Sequence, residues 1–109
     1  MTRQARHNAL EYELLREQAG ALGIAGKQLR DALAAYARHL KQGGLAGQPR
    51  TEHLLDEVAS KAYALLLQRE ILGFVHDNVA WLSASFELPA EIWPRMGALP
   101  AARPNDKPE

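Results

Sequence analysis

Ala62-Tyr-Ala-Leu-Leu-Leu-Gln-Arg-Glu-Ile-Leu-Gly-Phe-Val75 is the most apolar stretch of the chain and the one able to form the middle of a core. Two charges, Arg69 and Glu70, sit inside it, where a plain core helix would carry none. Read at helical spacing, the stretch belongs to a helix over about residues 51–83. Leu54, Leu55, Val58, Ala59, Ala62, Leu65, Leu66, Leu72 and Val79 form one stripe of it. Glu52, His53, Asp56, Glu57, Ser60 and Lys61 cover the opposite arc of its first three turns. From Tyr63 onward that arc also turns apolar, through Leu67, Ile71, Phe74, Val75, Trp81 and Leu82. A helix apolar on both sides needs two layers around it.

Residues 4–42 supply the first layer. Leu15, Leu22, Leu29 and Tyr36 interleave with Tyr12, Ala19, Gly26, Leu33 and Leu40 in alternating steps of three and four, a coiled-coil-like seam. The seam holds its phase through Gly20, Gly23 and Gly26, which favours one continuous helix. Each glycine costs about 1 kcal/mol relative to alanine, so a break near 20–26 is the alternative. Thr2 is a candidate cap for its start. Gly43-Gly44 stops this helix, and Pro49 and the candidate cap Thr51 open the next. A connection so short makes the two helices antiparallel neighbours.

After a turn at residues 83–87, Pro89 opens a short helix over 89–96 that Gly97 stops. Residues 98–109 carry Pro100, Pro104 and Pro108 among polar residues and read as a mobile tail, which leaves 1–97 as a single domain. The predicted architecture is all-α: a long antiparallel hairpin plus a short C-terminal helix. Two helices of roughly 50 Å cannot bury both faces of the central one. The expectation is therefore a homodimer resembling a four-helix bundle, with Leu67, Ile71, Phe74 and Trp81 at its interface.

Composition narrows the function classes. In 109 residues, Lys plus Arg and Asp plus Glu balance at 13 each, so no global charge draws the chain to nucleic acid or an anionic membrane. Without cysteine there is no disulfide framework, zinc-finger spacing or thiol nucleophile. The N-terminus lacks the apolar region of a signal peptide, and the apolar runs fall short of the roughly 18 residues of a membrane span. A cytoplasmic location is expected, with no membrane contact. No phosphate-binding glycine loop, nucleophile elbow or His-Glu-x-x-His occurs, and no cofactor is implied. His53 with Asp56 and Glu57, and His7 with Glu11, look like solvated faces, so no metal site is assigned.

The sharpest candidate site is Arg69, Glu70 and His76. Folding the hairpin about residue 46 sets position n of the second helix against about 93 − n of the first. Arg69 then lies amid Gly20, Gly23 and Gly26, and His76 lies opposite Glu17. One reading is a small anion-binding or catalytic pocket, with Arg69 as the fork, Glu70 and His76 as acid–base groups and the glycines as its floor. The plainer reading is an interior ion pair from Arg69 to Glu17 or Glu13, with glycines that permit close packing. Separately, Leu82, Phe86, Leu88, Trp93 and Met96 fall where a helix-turn-helix buries its apolar residues. Its groove-entering helix would offer only Arg95 as a cation, so a cap over the surface from Phe74 to Trp81 is the better expectation.

Ala21-Leu-Gly-Ile-Ala-Gly26, Leu54-Leu-Asp-Glu57, Gln68-Arg-Glu70, Gly73 and Leu88-Pro-x-Glu-x-x-x-Arg-Met-Gly97 resemble a family of small bacterial helical proteins of uncharacterised function. The resemblance spans about residues 9–97 and implies a compact helical domain, with Gln68-Arg69-Glu70 inside the family's motif. Tyr63 and Leu65 stand where that pattern leads one to expect tryptophan and phenylalanine. No activity comes with it. The leading expectation is a non-enzymatic protein-interaction or dimerisation module. The alternative is a small-molecule or anion-binding protein, an enzyme included, using Arg69, Glu70 and His76. A DNA-binding helix-turn-helix comes third.

Overall fold

The structure, a computed structural model, describes residues 2–74 and 76–97, and of His7 the backbone alone. The predicted C-terminal tail lies outside the described residues. Within them the protein is all-α: α1 over Arg3–Lys41, α2 over Pro49–Ile71, α3 over Asn78–Ser85, and a 3-10 helix, η1, over Ala90–Arg95. No described helix is long and apolar enough to cross a membrane.

α1 is one unbroken helix of 39 residues. Thr2 caps it by accepting a hydrogen bond from the Ala5 amide. The three glycines do not interrupt it; Gly20 and Gly23 face open solvent, where a missing side chain leaves no void. Gly43 ends it in the left-handed region at φ +94°, its amide bonding the Leu40 carbonyl while the Gly44 amide bonds that of His39. That pairing is the Schellman closure, which satisfies the last carbonyls of the helix. Pro49 then opens α2 from its first position, where a missing N–H costs nothing.

Thr51 is not the cap expected of it. It lies buried within α2's first turn, its hydroxyl 2.6 Å from Nε2 of His39, and so ties the two helices together beside the loop. The core runs from this end along the predicted stripe of α2: Leu55, Val58, Ala59, Ala62, Leu65 and Leu66. α1 contributes Leu29, fully buried, with Leu22, Ala25, Leu33 and Tyr36 partly covered beside it.

The second helix does not reach residue 83. It stops at Ile71 because Gly73, at φ +98°, repeats the closure of α1: its amide bonds the Glu70 carbonyl and the Phe74 amide bonds that of Arg69. Asp77, also left-handed at φ 56°, redirects the chain into α3. α3 runs through Ser85, where the sequence suggested a turn, and lays Leu82 into the core. The predicted last helix is η1, a 3-10 turn carrying Pro94, and Ile92 and Met96 complete the core. α3 and η1 both pack on α2.

Ending α2 early has a geometric consequence. α1 has 39 residues against 23 in α2, an excess of 16, or about 24 Å at 1.5 Å per residue. Every side chain described between residues 2 and 17 is exposed, and Gln18 is the first to gain cover. The first four turns of α1 therefore project beyond the packed body.

Candidate functional site

Arg69 follows Leu65 and Leu66 on the buried stripe of α2, so its side chain leaves the helix toward the core side. By that point the chain has begun to turn back, and the turn wraps the guanidinium. Its Nε donates to Oδ1 of Asn78 at 2.9 Å. Asn78, 2 % exposed, is held in turn by donating its Nδ2 to the Phe74 carbonyl. The guanidinium carbon lies 3.7 Å from the Trp81 ring centroid and 4.4 Å from that of Phe74. Trp81 is itself fixed edge-on against Phe86, with centroids 6.1 Å apart and planes at 80°. Desolvation lowers the pKa of Arg69 from its ordinary value, yet a guanidinium remains charged at neutral pH.

No described carboxylate pairs with Arg69, and the expected ion pair to Glu17 or Glu13 does not form. Both acids lie exposed on the projecting turns of α1, beside a shallow depression of about 360 Å³ lined by Glu13, Arg16 and Glu17. Three side chains of one helix enclose nothing. The glycines do not floor an Arg69 pocket either: Gly20 and Gly23 have open space beyond them, and a Cβ at the buried Gly26 would meet Arg30 of its own helix. Arg69 turns instead to α3, and that move follows from the stop at Gly73.

Glu70 is half-buried, and its Oε2 is enclosed with no hydrogen-bond partner among the described residues. His76 is exposed in the turn before α3, not on a helix facing Glu17. No described hydrogen bond or ion pair joins Arg69, Glu70 and His76 to one another. The chemistry on offer is thus an aromatic-sandwiched cation whose outer N–H edge can meet an anion, and not an acid–base pair.

Of the four residues expected at a dimer interface, Trp81 and Phe74 are engaged with Arg69, while Leu67 and Ile71 lie exposed on the outer face of α2, Ile71 at 65 %. A larger apolar surface is on the projecting part of α1, where Leu10, Tyr12, Leu14 and Leu15 are each more than half exposed. Two anchors were not visible in the sequence. One is Asn78, whose partner Arg69 lies nine residues away across a turn that helical spacing hides. The other is Arg95, whose fork meets Glu52 at 2.6 Å and Asp56 at 2.8 Å and pins η1 to α2. The Glu52 and Asp56 carboxylates raise its pKa. The lone cation of the supposed recognition helix is therefore committed inside the fold, on a 3-10 turn of six residues.

No curated protein and no solved structure matches the chain. The profile of a family of unknown function, DUF6665, matches residues 1–104. That is the whole of the described hairpin with its C-terminal cap. The chain belongs to the DUF6665 family.

Proposed function

We propose that the protein is a non-enzymatic helical interaction module, with the projecting turns of α1 as its principal contact surface. The observation that carries this reading is that Tyr12 and Leu15 lie exposed in line with a seam that is buried further along the same helix, with Leu10 and Leu14 exposed on another side of it. Monomeric proteins rarely leave such a face open unless something covers it. The exposed Leu67 and Ile71 on the outer side of α2 add a smaller patch. The test is site-specific photo-crosslinking in cells of the source organism, with the probe at Leu15, at Ile71, and at solvent-facing Glu57 as control. Discrete adducts at Leu15 and Ile71 but not at Glu57 support the reading. Absence of adducts at every position contradicts it.

A second reading rests on Arg69. Its terminal nitrogens donate no hydrogen bond to a described residue, and its charge is unpaired by any described acid. That is what a binding site for a small anion would need. Trp81 reports on it directly: titrating inorganic phosphate should change Trp81 fluorescence in a Trp93→Phe background, and Arg69→Met should abolish the change. A flat titration excludes this reading for phosphate.

A further inference from the structure

A guanidinium holds all its N–H donors in one plane, and the fold around Arg69 engages them unequally. Nε donates to Oδ1 of Asn78 at 2.9 Å, and Asn78 is itself buried and tied to the Phe74 carbonyl. Trp81 and Phe74 lie against the guanidinium faces, its carbon 3.7 and 4.4 Å from their centroids, and Phe86 braces Trp81. The terminal nitrogens, Nη1 and Nη2, donate to no described residue. The enclosed polar atom without a partner is Oε2 of Glu70, so solvent reaches both of these nitrogens. An arginine ordinarily loses rotamer freedom when it grips a ligand, and here much of that freedom is already gone. The result is a flat fork, held on three sides and open along its own plane.

We infer that this fork binds a carboxylate, from a small organic acid or from the end of a polypeptide, in preference to phosphate or sulfate. This rests on the anion-binding reading of Arg69 above and names its ligand class. Shape is the first reason. A carboxylate is planar, and its two oxygens accept parallel N–H bonds in the plane of the guanidinium. Phosphate and sulfate can also set two oxygens in that plane, but their others stand above and below it, on the sides that Trp81 and Phe74 occupy. No N–H of the fork points there, so those oxygens lose water without gaining a donor.

Charge is the second reason. Burial alone lowers the pKa of Arg69, and no neighbouring charge acts on it. One positive charge balances a carboxylate, whereas phosphate at neutral pH carries more than one negative charge. The excess would enter a partly desolvated site with nothing there to pair it. Phe74, 47 % exposed beside the cation, also offers apolar contact to a carbon chain behind the carboxylate.

The test titrates the full chain with sodium butyrate and, separately, with sodium phosphate, each against sodium chloride of equal ionic strength. Two signals are followed: the Arg69 Nε–H resonance in the parent protein, and Trp81 fluorescence in the Trp93→Phe background. Butyrate should give a saturable change in both at a lower midpoint than phosphate, and chloride should give none. Arg69→Lys keeps the charge but loses the fork, so its Trp81 signal should lose the preference for butyrate. N-acetylleucine and its amide separate the two sources. A midpoint for the acid well below that of butyrate, with a silent amide, marks a polypeptide end, and a midpoint equal to butyrate's marks a free acid. Phosphate binding as tightly as butyrate, or more tightly, overturns the inference and leaves the anion-binding reading standing. If neither anion moves either signal, both fall.

Discussion

Arg69→Met removes the charge and the donor but keeps an apolar side chain of similar reach. The two ring faces at 3.7 and 4.4 Å contribute about 0.5–1 kcal/mol each at a partly exposed site. The charged hydrogen bond to Asn78 adds about 1.5 kcal/mol, and much of its loss is the cost of leaving the buried Asn78 Oδ1 without a donor. Methionine returns about 0.5–1 kcal/mol through sulfur–aromatic contact. The expected net loss is about 2 kcal/mol. Urea unfolding followed by far-UV circular dichroism measures it, with parent and variant at one protein concentration because association shifts apparent stability. A double-mutant cycle with Trp81→Leu should show a coupling of about 0.5–1 kcal/mol. A variant as stable as the parent, or more so, refutes the clamp. A buried-edge cation that stabilises nothing would then point to the anion-binding reading.

Three further outcomes follow from other contacts. Burial, then the Glu91 carboxylate, raises the pKa of Tyr36 above its ordinary 10.0, Glu52 adds to this, and Arg95 opposes it. The folded state then holds the proton more tightly than the unfolded one, so this contribution is complete below pH 10.0 and is lost as pH rises through the raised folded value. Unfolding curves should show the parent losing stability above pH 10.0 faster than Tyr36→Phe does. At Gly44 an added Cβ would run into the His39 ring, so Gly44→Ala must displace that ring from Thr51, at a cost of about 1–2 kcal/mol in thermal unfolding. Gly73→Ala should cost about 1 kcal/mol or more because alanine is strained at φ +98°. A Gly73→Ala protein with more helix and undiminished stability would show that Leu82 and Ile92 do not hold the chain in its turn.

Much of the fold was legible because its signals are local. Thr2, the paired Gly43 and Gly44, and Pro49 mark helix ends by mechanisms confined to a few residues. The seam through Gly20, Gly23 and Gly26 kept its phase, and the helix is continuous there. The stop at Gly73 is hidden in the sequence because Val79 and Leu82 continue the apolar period beyond it. They still meet the core, but by way of a turn, which periodicity cannot distinguish from a longer helix. That one residue accounts for the corrections at the candidate site. It sends Arg69 to Asn78 and Trp81 instead of to the glycines, removes His76 from a helix face, and leaves α1 longer than its partner. From the sequence the two long helices read as nearly equal, so the projecting turns were hidden. The stripe position of Arg69 marked it as partly buried, but its partners depend on the path of the chain after Gly73.

Hydrogen exchange tests the central claim most directly, because four turns of helix without a packing partner are marginal in water. If the projecting turns of α1 are the contact surface, amides between residues 5 and 17 should exchange rapidly in the dilute purified protein and gain protection in lysate of the source organism, while those around Leu29 and Val58 stay protected throughout. Exchange in residues 5–17 that lysate leaves unchanged would contradict it.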